Sequence, residues 1–368
     1  MMAPAMDKFT AALFVVILAA SISTRTAAQI NEEHAAAPEI SAEVWINSPP
    51  LTLSRMRGKV LLIDFWEYTC IDCIRTFPYL KRWHSLYAPL GLVVIGVHTP
   101  QFAFAKDPQR IADAVKRFGL TFPVAVDSDA RIWKAFHNDA RPAEYLIDQD
   151  GHLEYSHAGE GEDAQFERLI QQLLRQVNPK LDFSAPRYNP PPEAPGPGAM
   201  CRQPTPETYL GFLRSDRLAN SEGYQQLNAA SYRPVVRLPL DQFDISGQWL
   251  AMPENIQHVG PSRDYDHLRL HYHAKSVYLV AGSEDGVAPG LVLLSQDGEP
   301  LATGSRGVDV KAGADRQTYL SLGGKRMYYL VENPLFGEHV LDLQVSLPGV
   351  SFYSFTFGGN CETAFDHR

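Results

Sequence analysis

Two cysteines, Cys70 and Cys73, lie three residues apart in the segment WEYTCIDC. Their residue type and spacing make them the strongest candidates for catalytic residues in the sequence. A cysteine thiolate is the nucleophile of disulfide exchange, and a nearby second thiol can resolve the mixed disulfide that forms. Cys70 is predicted to attack, because it would be the more exposed of the two, and Cys73 to resolve. The pair therefore predicts a redox site.

The elements on either side of this pair favour that chemistry. An apolar run from Val60 to Phe65 predicts a buried strand, and apolar residues at helical spacing from Cys73 to Tyr87 predict a helix. Cys70 then lies at the first turn of the helix. Free backbone N–H groups and the positive end of the helix dipole favour a thiolate there.

Asp64 lies within the apolar strand, six residues before Cys70. Burial would raise the pKa of its carboxyl group, and such a group can accept the proton of Cys73. The alternation of side chains along a strand does not decide whether Asp64 faces the core or the solvent at a strand edge. We predict the proton-transfer role.

Two other uses of the cysteine pair are disfavoured. A structural zinc site needs four ligands, but the sequence has no second CxxC, and His84 and His98 do not have the spacing of zinc ligands. A peroxidatic cysteine usually lies in a Pro–Thr–Cys loop. Thr69 precedes Cys70, but no proline does. No metal and no cofactor are predicted.

The 368 residues are enough for two domains, and the formal net charge of −9 disfavours nucleic acid as a partner. We predict a signal peptide at 1–28, since an apolar stretch from Phe9 to Ala20 precedes the small residues before Gln29. The mature protein would be exported, in the periplasm or an equivalent compartment, and soluble. Interleaved helices and strands predict an α/β domain at 39–178, with a hairpin at Asp150-Gly151. A proline-rich linker follows at 179–206.

Residues 207–368 read as strands separated by glycine-containing turns, which predicts an all-β sandwich. The predicted strands are Val235–Leu240, Asp266–His273, Ser276–Val280, Leu291–Leu294, Val308–Val310, Arg326–Val331, His339–Ser346 and Val350–Phe357. His267, His271 and His273 share one face of a strand, and we interpret them as an ordinary polar face rather than a metal site.

Several longer motifs resemble the thioredoxin-like domain of DipZ-type proteins, close to the TlpA-like branch. In the first region these are the WEYTCIDC segment with Trp45–Ser48, Arg57–Lys59 and Arg75–Leu80 around it, Gly96–Pro100, and Arg141–Asp148. In the second region, Pro206–Gly211, Trp249, Tyr278–Val280 and Pro348–Gly358 resemble the DipZ C-terminal domain.

The resemblance implies a thioredoxin-like fold followed by a β sandwich similar to a carbohydrate-binding module. It places the redox pair at Cys70 and Cys73, supports Asp64 as the buried acid, and makes Pro142 a cis proline facing the cysteines. Local sequence alone favours an ordinary trans bond at Pro142. Asp72 stands where asparagine is common in such proteins, and its charge should disfavour the Cys70 thiolate.

DipZ-type proteins also carry a multi-helix membrane domain that passes electrons across the membrane, and no segment of this sequence resembles it. The resemblance therefore implies a separate membrane electron donor of the CcdA or DsbD type. The predicted function is exchange of disulfides in exported proteins. The alternatives are a glycan- or protein-binding module with an accessory redox domain, and a thiol peroxidase.

Cys201 and Cys361 lie on either side of the predicted β domain, just before its first strands and just after its last. An exported protein usually avoids free thiols, and a disulfide here would join the two ends of the domain. In the chain-entropy model, closing so long a loop contributes about 4–5 kcal/mol. We predict this second disulfide.

Overall fold

The computed structural model describes residues 35–183, 200–201, 203–260, 266–283, 290–346, 348–358 and 361–362. The predicted signal peptide at 1–28 lies outside these residues, as do 184–199 and 202 of the predicted linker. We call 35–183 the α/β region and 200–362 the β region. Within the described ranges, no helix is long and apolar enough to cross a membrane.

A six-stranded mixed sheet forms the centre of the α/β region, in the order β1-β4-β3-β2-β5-β6. Strands β2, β3 and β4 run parallel, whereas the other neighbours pair antiparallel. The strands are β1 (Val44–Ile46), β2 (Val60–Trp66), β3 (Leu92–His98), β4 (Val124–Val126), β5 (Ala143–Ile147) and β6 (Leu153–Ala158).

Helices cover both faces of this sheet, so β2 is buried along its whole length. The helices are α1 (Ile71–Tyr87), α2 (Pro108–Phe118), α3 (Arg131–Ala135) and α4 (Asp163–Val177). The side chain of Asp107 caps α2 by accepting a hydrogen bond from the Gln109 N–H at 2.9 Å, and Gly119 ends it with a φ of 63°. These local signals make the α/β region predictable from sequence.

The β region contains a branched set of eleven hydrogen-bonded strands and a separate two-stranded ribbon. The eleven are β8 (Thr208–Tyr209), β9 (Ala229–Tyr232), β10 (Gln242–Ala251), β11 (Ile256–His258), β12 (Asp266–Ser283), β13 (Gly290–Gln296), β14 (Glu299–Pro300), β15 (Val310–Ala312), β16 (Thr318–Leu322), β17 (Arg326–Val345) and β18 (Val350–Gly358). The ribbon pairs β7 (Met200–Cys201) with β19 (Cys361–Glu362).

Strand β12 organises the region, because its first half pairs with β10, its second half with β18, and nearly all of it with β17. One apolar core lies inside this arrangement, and the buried Trp249 belongs to it. The all-β class is confirmed, whereas the likeness to a carbohydrate-binding module stays a prediction.

Several of the strand predictions in this region are wrong in detail. Val235–Leu240 is not a strand, and Val236 there is fully exposed. The two strands predicted within 266–280 form one strand, β12, with a register shift between Ala274 and Ser276, and the two predicted within 326–346 form β17. A local irregularity in a long strand can be absorbed as a bulge, so turn-like residues do not always end it.

In the two-stranded ribbon, Cys201 and Cys361 are direct antiparallel partners. The α-carbons of such partners lie about 4.5–5.5 Å apart, within the usual range for a disulfide. The backbone register is therefore compatible with the predicted second disulfide, which stays a prediction.

Candidate active site

Cys70 and Cys73 form a disulfide at the point where β2 leads into α1. Cys70 is the N-cap residue of α1, and its sulfur accepts a hydrogen bond from the backbone N–H of Cys73 at 3.1 Å. Cys70 is partly exposed, whereas Cys73 is completely buried. This difference in exposure matches the prediction that Cys70 attacks the substrate and that Cys73 resolves the mixed disulfide.

Glu67 holds the loop that leads into Cys70, a feature that sequence reasoning missed. Its carboxylate accepts a hydrogen bond from the Thr69 N–H at 2.7 Å and another from the Thr69 hydroxyl, while its backbone carbonyl accepts from the Cys70 N–H at 3.2 Å. Glu67 is completely buried, and its Oε1 lies 3.8 Å from Nε2 of His98. A glutamate inside an aromatic segment was the available signal.

The loop before β5 approaches the disulfide from the other side. The peptide bond between Arg141 and Pro142 is cis, as the resemblance implied, and the Arg141 carbonyl oxygen lies 3.9 Å from the Cys70 sulfur. Arg141 is held by a hydrogen bond from its Nε to the Thr99 carbonyl at 3.0 Å and by its position 4.1 Å above the Trp133 ring. This loop therefore forms one edge of the surface around Cys70.

Asp64 lies on the face of β2 that carries Leu62 and Trp66, which share a core cluster with Cys73 of α1. It is completely buried, and neither carboxylate oxygen has a hydrogen-bond partner in the described part of the chain. Burial raises the pKa of Asp64 to about 8. The question that the sequence left open is thus answered in favour of burial.

A second buried acid, Glu144, lies on β5 directly opposite Asp64. Burial raises the pKa of Glu144 well above its usual value, and the neighbouring Asp64 raises it further. Sequence reasoning missed Glu144, because nothing local connects it with β2. Its position next to Pro142 and Ala143 in a strand was the only hint.

The β region covers one flank of the disulfide. Ile71, between the two cysteines, is only 3% exposed because it packs in an apolar cluster shared by both regions. The other buried members are Phe102 from the α/β region and Tyr278, Val280, Met327 and Tyr353 from the β region. The two regions therefore meet at the active-site turn itself.

Polar contacts extend this meeting surface toward the Pro142 loop. Nε2 of Gln101 donates to the Tyr209 hydroxyl at 2.7 Å and to Glu207 at 3.1 Å, and that hydroxyl donates to Glu207 at 2.6 Å. Burial raises the pKa of Glu207. The guanidinium of Arg214 lies 3.9 Å above the Tyr209 ring.

Asp72, the residue predicted to disfavour the Cys70 thiolate, is paired with a cation. Its Oδ1 lies 3.2 Å from Nη1 of Arg75, which also contacts Glu160 at 2.9 Å. Burial and the nearby Asp72 raise the pKa of Glu160 to about 7. Arg75 thus offsets part of the negative field that Asp72 brings to Cys70.

Each histidine of the polar face on β12 has its own partners. His267 contacts Asp342 at 2.9 Å, His271 contacts Glu338 at 2.9 Å, and His273 contacts Asp241 at 3.0 Å. Across the ranges that the structure describes, no group of three or more His, Cys, Asp or Glu residues is arranged to hold a metal ion. These contacts agree with the interpretation of an ordinary polar face.

Comparison with known proteins divides the chain into two parts that correspond to the α/β region and the β region. Residues 34–156 match the model of the AhpC/TSA family, and residues 205–358 match a model described as the thioredoxin-like C-terminal domain. Protein DipZ of Mycobacterium bovis is 32% identical over 320 residues, covering 85% of this chain and 41% of DipZ. The chain thus spans about two fifths of the length of the DipZ relatives it matches.

Other similar proteins cover the α/β region alone. Thiol-disulfide oxidoreductase YkuV of Bacillus subtilis is 29% identical over 141 residues, which are 38% of this chain and 95% of YkuV. A solution structure of a thioredoxin-like protein in the oxidized form is 30% identical, covers 39% of this chain and 97% of its own, and has a TM-score of 0.36.

Proposed function

We propose that this chain, a DipZ homologue with a thioredoxin-like domain and the matching C-terminal β domain, is a thiol-disulfide oxidoreductase that acts on disulfides of exported proteins. The observation that carries the proposal is the cysteine pair at the start of α1, with the exposed sulfur at the helix N-terminus and an unpartnered acid on the same side of the sheet as the buried sulfur. This combination favours thiol exchange, because it promotes both the attack of one thiolate and the deprotonation of the second thiol.

In the reduced protein, the Cys70 thiolate attacks one sulfur of the substrate disulfide, and the other substrate sulfur leaves as a thiolate. The N–H of Cys73, 3.1 Å from the Cys70 sulfur in the disulfide form, favours the negative charge on Cys70. The positive end of the helix dipole adds to this effect. Cys70 therefore attacks at a lower pH than an ordinary thiol would.

The second step requires Cys73 to lose its proton. Asp64 accepts it, because the raised pKa of its carboxyl, about 8, is close to that of an unperturbed thiol at about 8.5. The Cys73 thiolate then attacks the Cys70 sulfur, the Cys70–Cys73 bond forms, and the second substrate sulfur leaves as a thiolate. Two electrons have passed from the dithiol to the substrate.

The β region forms one wall of the substrate site in this proposal. Glu207 and Tyr209 form hydrogen bonds with Gln101, and Tyr278 and Tyr353 belong to the apolar cluster that contains Ile71, the residue after Cys70. Polypeptide substrates must then approach Cys70 along the remaining open side. The aromatic side chains Trp249, Tyr272, Tyr328, Phe352 and Phe355 are buried, which gives no support to the alternative of a glycan-binding aromatic surface.

The predicted signal peptide at 1–28 supports export, and an exported reductant would need electrons from the membrane. We propose a donor of the CcdA or DsbD type, which would reduce the Cys70–Cys73 disulfide after each turnover. A measured reduction potential of this couple would distinguish a reductant from an oxidant.

Reduction of insulin by dithiothreitol tests the activity, with two cysteine variants as a matched pair. Cys70→Ser should lose activity by at least about 100-fold, because the attacking atom is gone. Cys73→Ser should also stop turnover but should accumulate covalent substrate adducts on Cys70. Full activity of Cys70→Ser would refute the assignment, and peroxide consumption that depends on Cys70 would favour the peroxidase alternative.

A further inference from the structure

Asp64, the acid proposed to accept the proton of Cys73, lies opposite a second buried acid. Asp64 on β2 and Glu144 on β5 are direct partners in the antiparallel register. The β-carbons of such partners lie about 4.5–5.5 Å apart on the same face of a sheet. Asp64 is completely buried and Glu144 is 3% exposed, so the two carboxyl groups form a pair shielded from water.

Most of the carboxyl oxygens of this pair have no hydrogen-bond partner within the described chain and are available for proton transfer. Both oxygens of Asp64 and Oε1 of Glu144 lack a hydrogen-bond partner among the described residues. Two carboxyl groups this close in a nonpolar setting cannot both be ionised, so the pair holds at least one proton near neutral pH. Glu144 is the member whose pKa is raised by the charge of the other.

Asp64 cannot exchange protons with water directly, because it is completely buried. Glu144 also faces His157, its direct partner on β6. His157 is partly exposed, with Nδ1 at 3.5 Å from Glu162 and Nε2 at 3.3 Å from the carbonyl oxygen of Glu160. Glu144 therefore lies between the buried acid and a titratable side chain at the surface.

We propose that Glu144 passes protons between Asp64 and His157 while Cys73 resolves the mixed disulfide. The inference rests on the proposed exchange chemistry of Cys70 and Cys73 and adds the route by which the proton leaves. In this proposal Glu144 acts through Asp64 and not directly on either sulfur.

The transfer balances at each atom. Asp64 first gives its proton to Glu144, which gives its own to His157 and so to water. The Asp64 carboxylate then takes the proton of Cys73, and the Cys73 electron pair forms the bond to the Cys70 sulfur. The substrate sulfur leaves with the pair of the broken bond and is protonated by water. No oxidant or metal is required.

The charged and titratable groups near Glu144 come from four elements and one loop. Asp64 on β2 and His157 on β6 are its direct strand partners, and Asp163 on α4 raises its pKa. Tyr79 on α1 contacts Asp163, and Glu160 and Glu162 in the loop before α4 contact His157. Asp163, which raises the pKa of Glu144, is itself a half-buried acid whose pKa is raised by partial burial. His157 is the basic side chain among these groups, so a proton leaves the pair of Asp64 and Glu144 toward His157.

A chromogenic aromatic disulfide, 5,5′-dithiobis(2-nitrobenzoate), separates the two steps with the whole reduced protein in a stopped-flow instrument. The first thiolate released reports the attack of Cys70, and the second reports resolution by Cys73. Glu144→Gln keeps size and polarity but cannot relay a proton. We expect its second phase to be about tenfold slower at neutral pH, and its first phase to be within about twofold of the unchanged protein.

The pH profile and a double variant distinguish proton transfer from a structural effect. From about pH 6 to about pH 9, the second phase of Glu144→Gln should lose the rise with pH that the unchanged protein has. Asp64→Asn should be slow as well, and the double variant no slower than Asp64→Asn alone, because Glu144 acts through Asp64.

Glu167→Gln is the matched control, since Glu167 is a buried glutamate that accepts a hydrogen bond from the Tyr87 hydroxyl at 2.6 Å and lies outside the site. It should leave both phases unchanged. An unchanged second phase and profile in Glu144→Gln, or a double variant slower than Asp64→Asn, would overturn the relay. Absence of the first phase in the unchanged protein would instead overturn the proposed function.

Discussion

Asp64 in the α/β region and Asp244 in the β region are both buried acids in central strands, but their surroundings are opposite. Asp244 accepts hydrogen bonds from the Val235 N–H at 2.7 Å and from Nε of Arg269 at 2.9 Å. Asp64 has no hydrogen-bond partner within the described chain. Hydrogen bonds and the Arg269 guanidinium compensate the charge of Asp244, whereas Asp64 keeps a proton that it can transfer.

The same contrast holds for a second pair of acids. In the β region, Asp266 accepts from the Gln248 N–H at 2.7 Å and contacts His258 at 2.9 Å. In the α/β region, one of the two direct strand partners of Glu144 is another acid, Asp64. Hydrogen bonds and an ion pair offset the cost of burying an acid, whereas an acid without them lowers the stability of the fold. In the α/β region this loss of stability occurs beside the cysteines, where acids with raised pKa values can take part in the reaction.

The largest expected effect comes from Asp64→Asn. The folded protein keeps a proton on Asp64 up to about pH 8, whereas the unfolded chain loses it near pH 4. Stability from this group is therefore fully present below about pH 4 and is lost as the pH rises through about 8. Asn at this position should raise the free energy of unfolding by on the order of 5–6 kcal/mol at about pH 9 and slow the resolving step.

Urea unfolding at several pH values measures this effect, with the exposed Asp113→Asn on α2 as the control. The stabilisation should grow from about pH 4 to about pH 8, and the control should change little. A destabilised Asp64→Asn would mean that the carboxylate has partners after all, and the contrast with Asp244 would fail.

The next largest effect is the opposite response at Asp244. Asp244→Ala leaves the guanidinium of Arg269 and the Val235 N–H without their acceptor, and we expect a loss of about 3 kcal/mol. The rates of both thiol-exchange steps should stay unchanged. Chemical unfolding together with insulin reduction measures both properties.

Asp216→Ala is the control, because the Asp216 side chain is 81% exposed and pairs with the neighbouring Arg217. It should change stability by less than about 0.5 kcal/mol. Slower thiol exchange in the folded Asp244→Ala protein would show that the β region contributes to the chemistry beyond forming a wall.

A smaller effect is expected where the two regions meet. Tyr353 is 5% exposed, and its ring lies 5.3 Å from that of Phe102 and 4.8 Å from that of Phe104. Tyr353→Ala should cost about 2 kcal/mol and separate the unfolding of the two regions into two calorimetric transitions. Leu335→Ala, at a side chain that is 62% exposed, should leave the profile unchanged. A single transition at the original midpoint in Tyr353→Ala would indicate that this contact does not couple the regions.

Local signals predicted the elements that position the cysteines. The apolar run ending at Phe65, the helical spacing up to Tyr87 and the Asp150-Gly151 turn correspond to β2, α1 and the hairpin of β5 and β6. Strand β10 was missed, although Phe243, Ile245 and Trp249 alternate with polar residues along it. Gly247 interrupts that alternation. The sequence analysis instead predicted a strand at Val235–Leu240, a segment that pairs with no strand in the described structure.

The sequence by itself determined the chemistry of the cysteine pair and its place at a helix start, because both depend on residues that are neighbours along the chain. Only the tertiary structure decided that Glu144 faces Asp64 and that the β region packs on Ile71. Those contacts join residues far apart in sequence. Strand register and close packing create them, and neither leaves a local pattern.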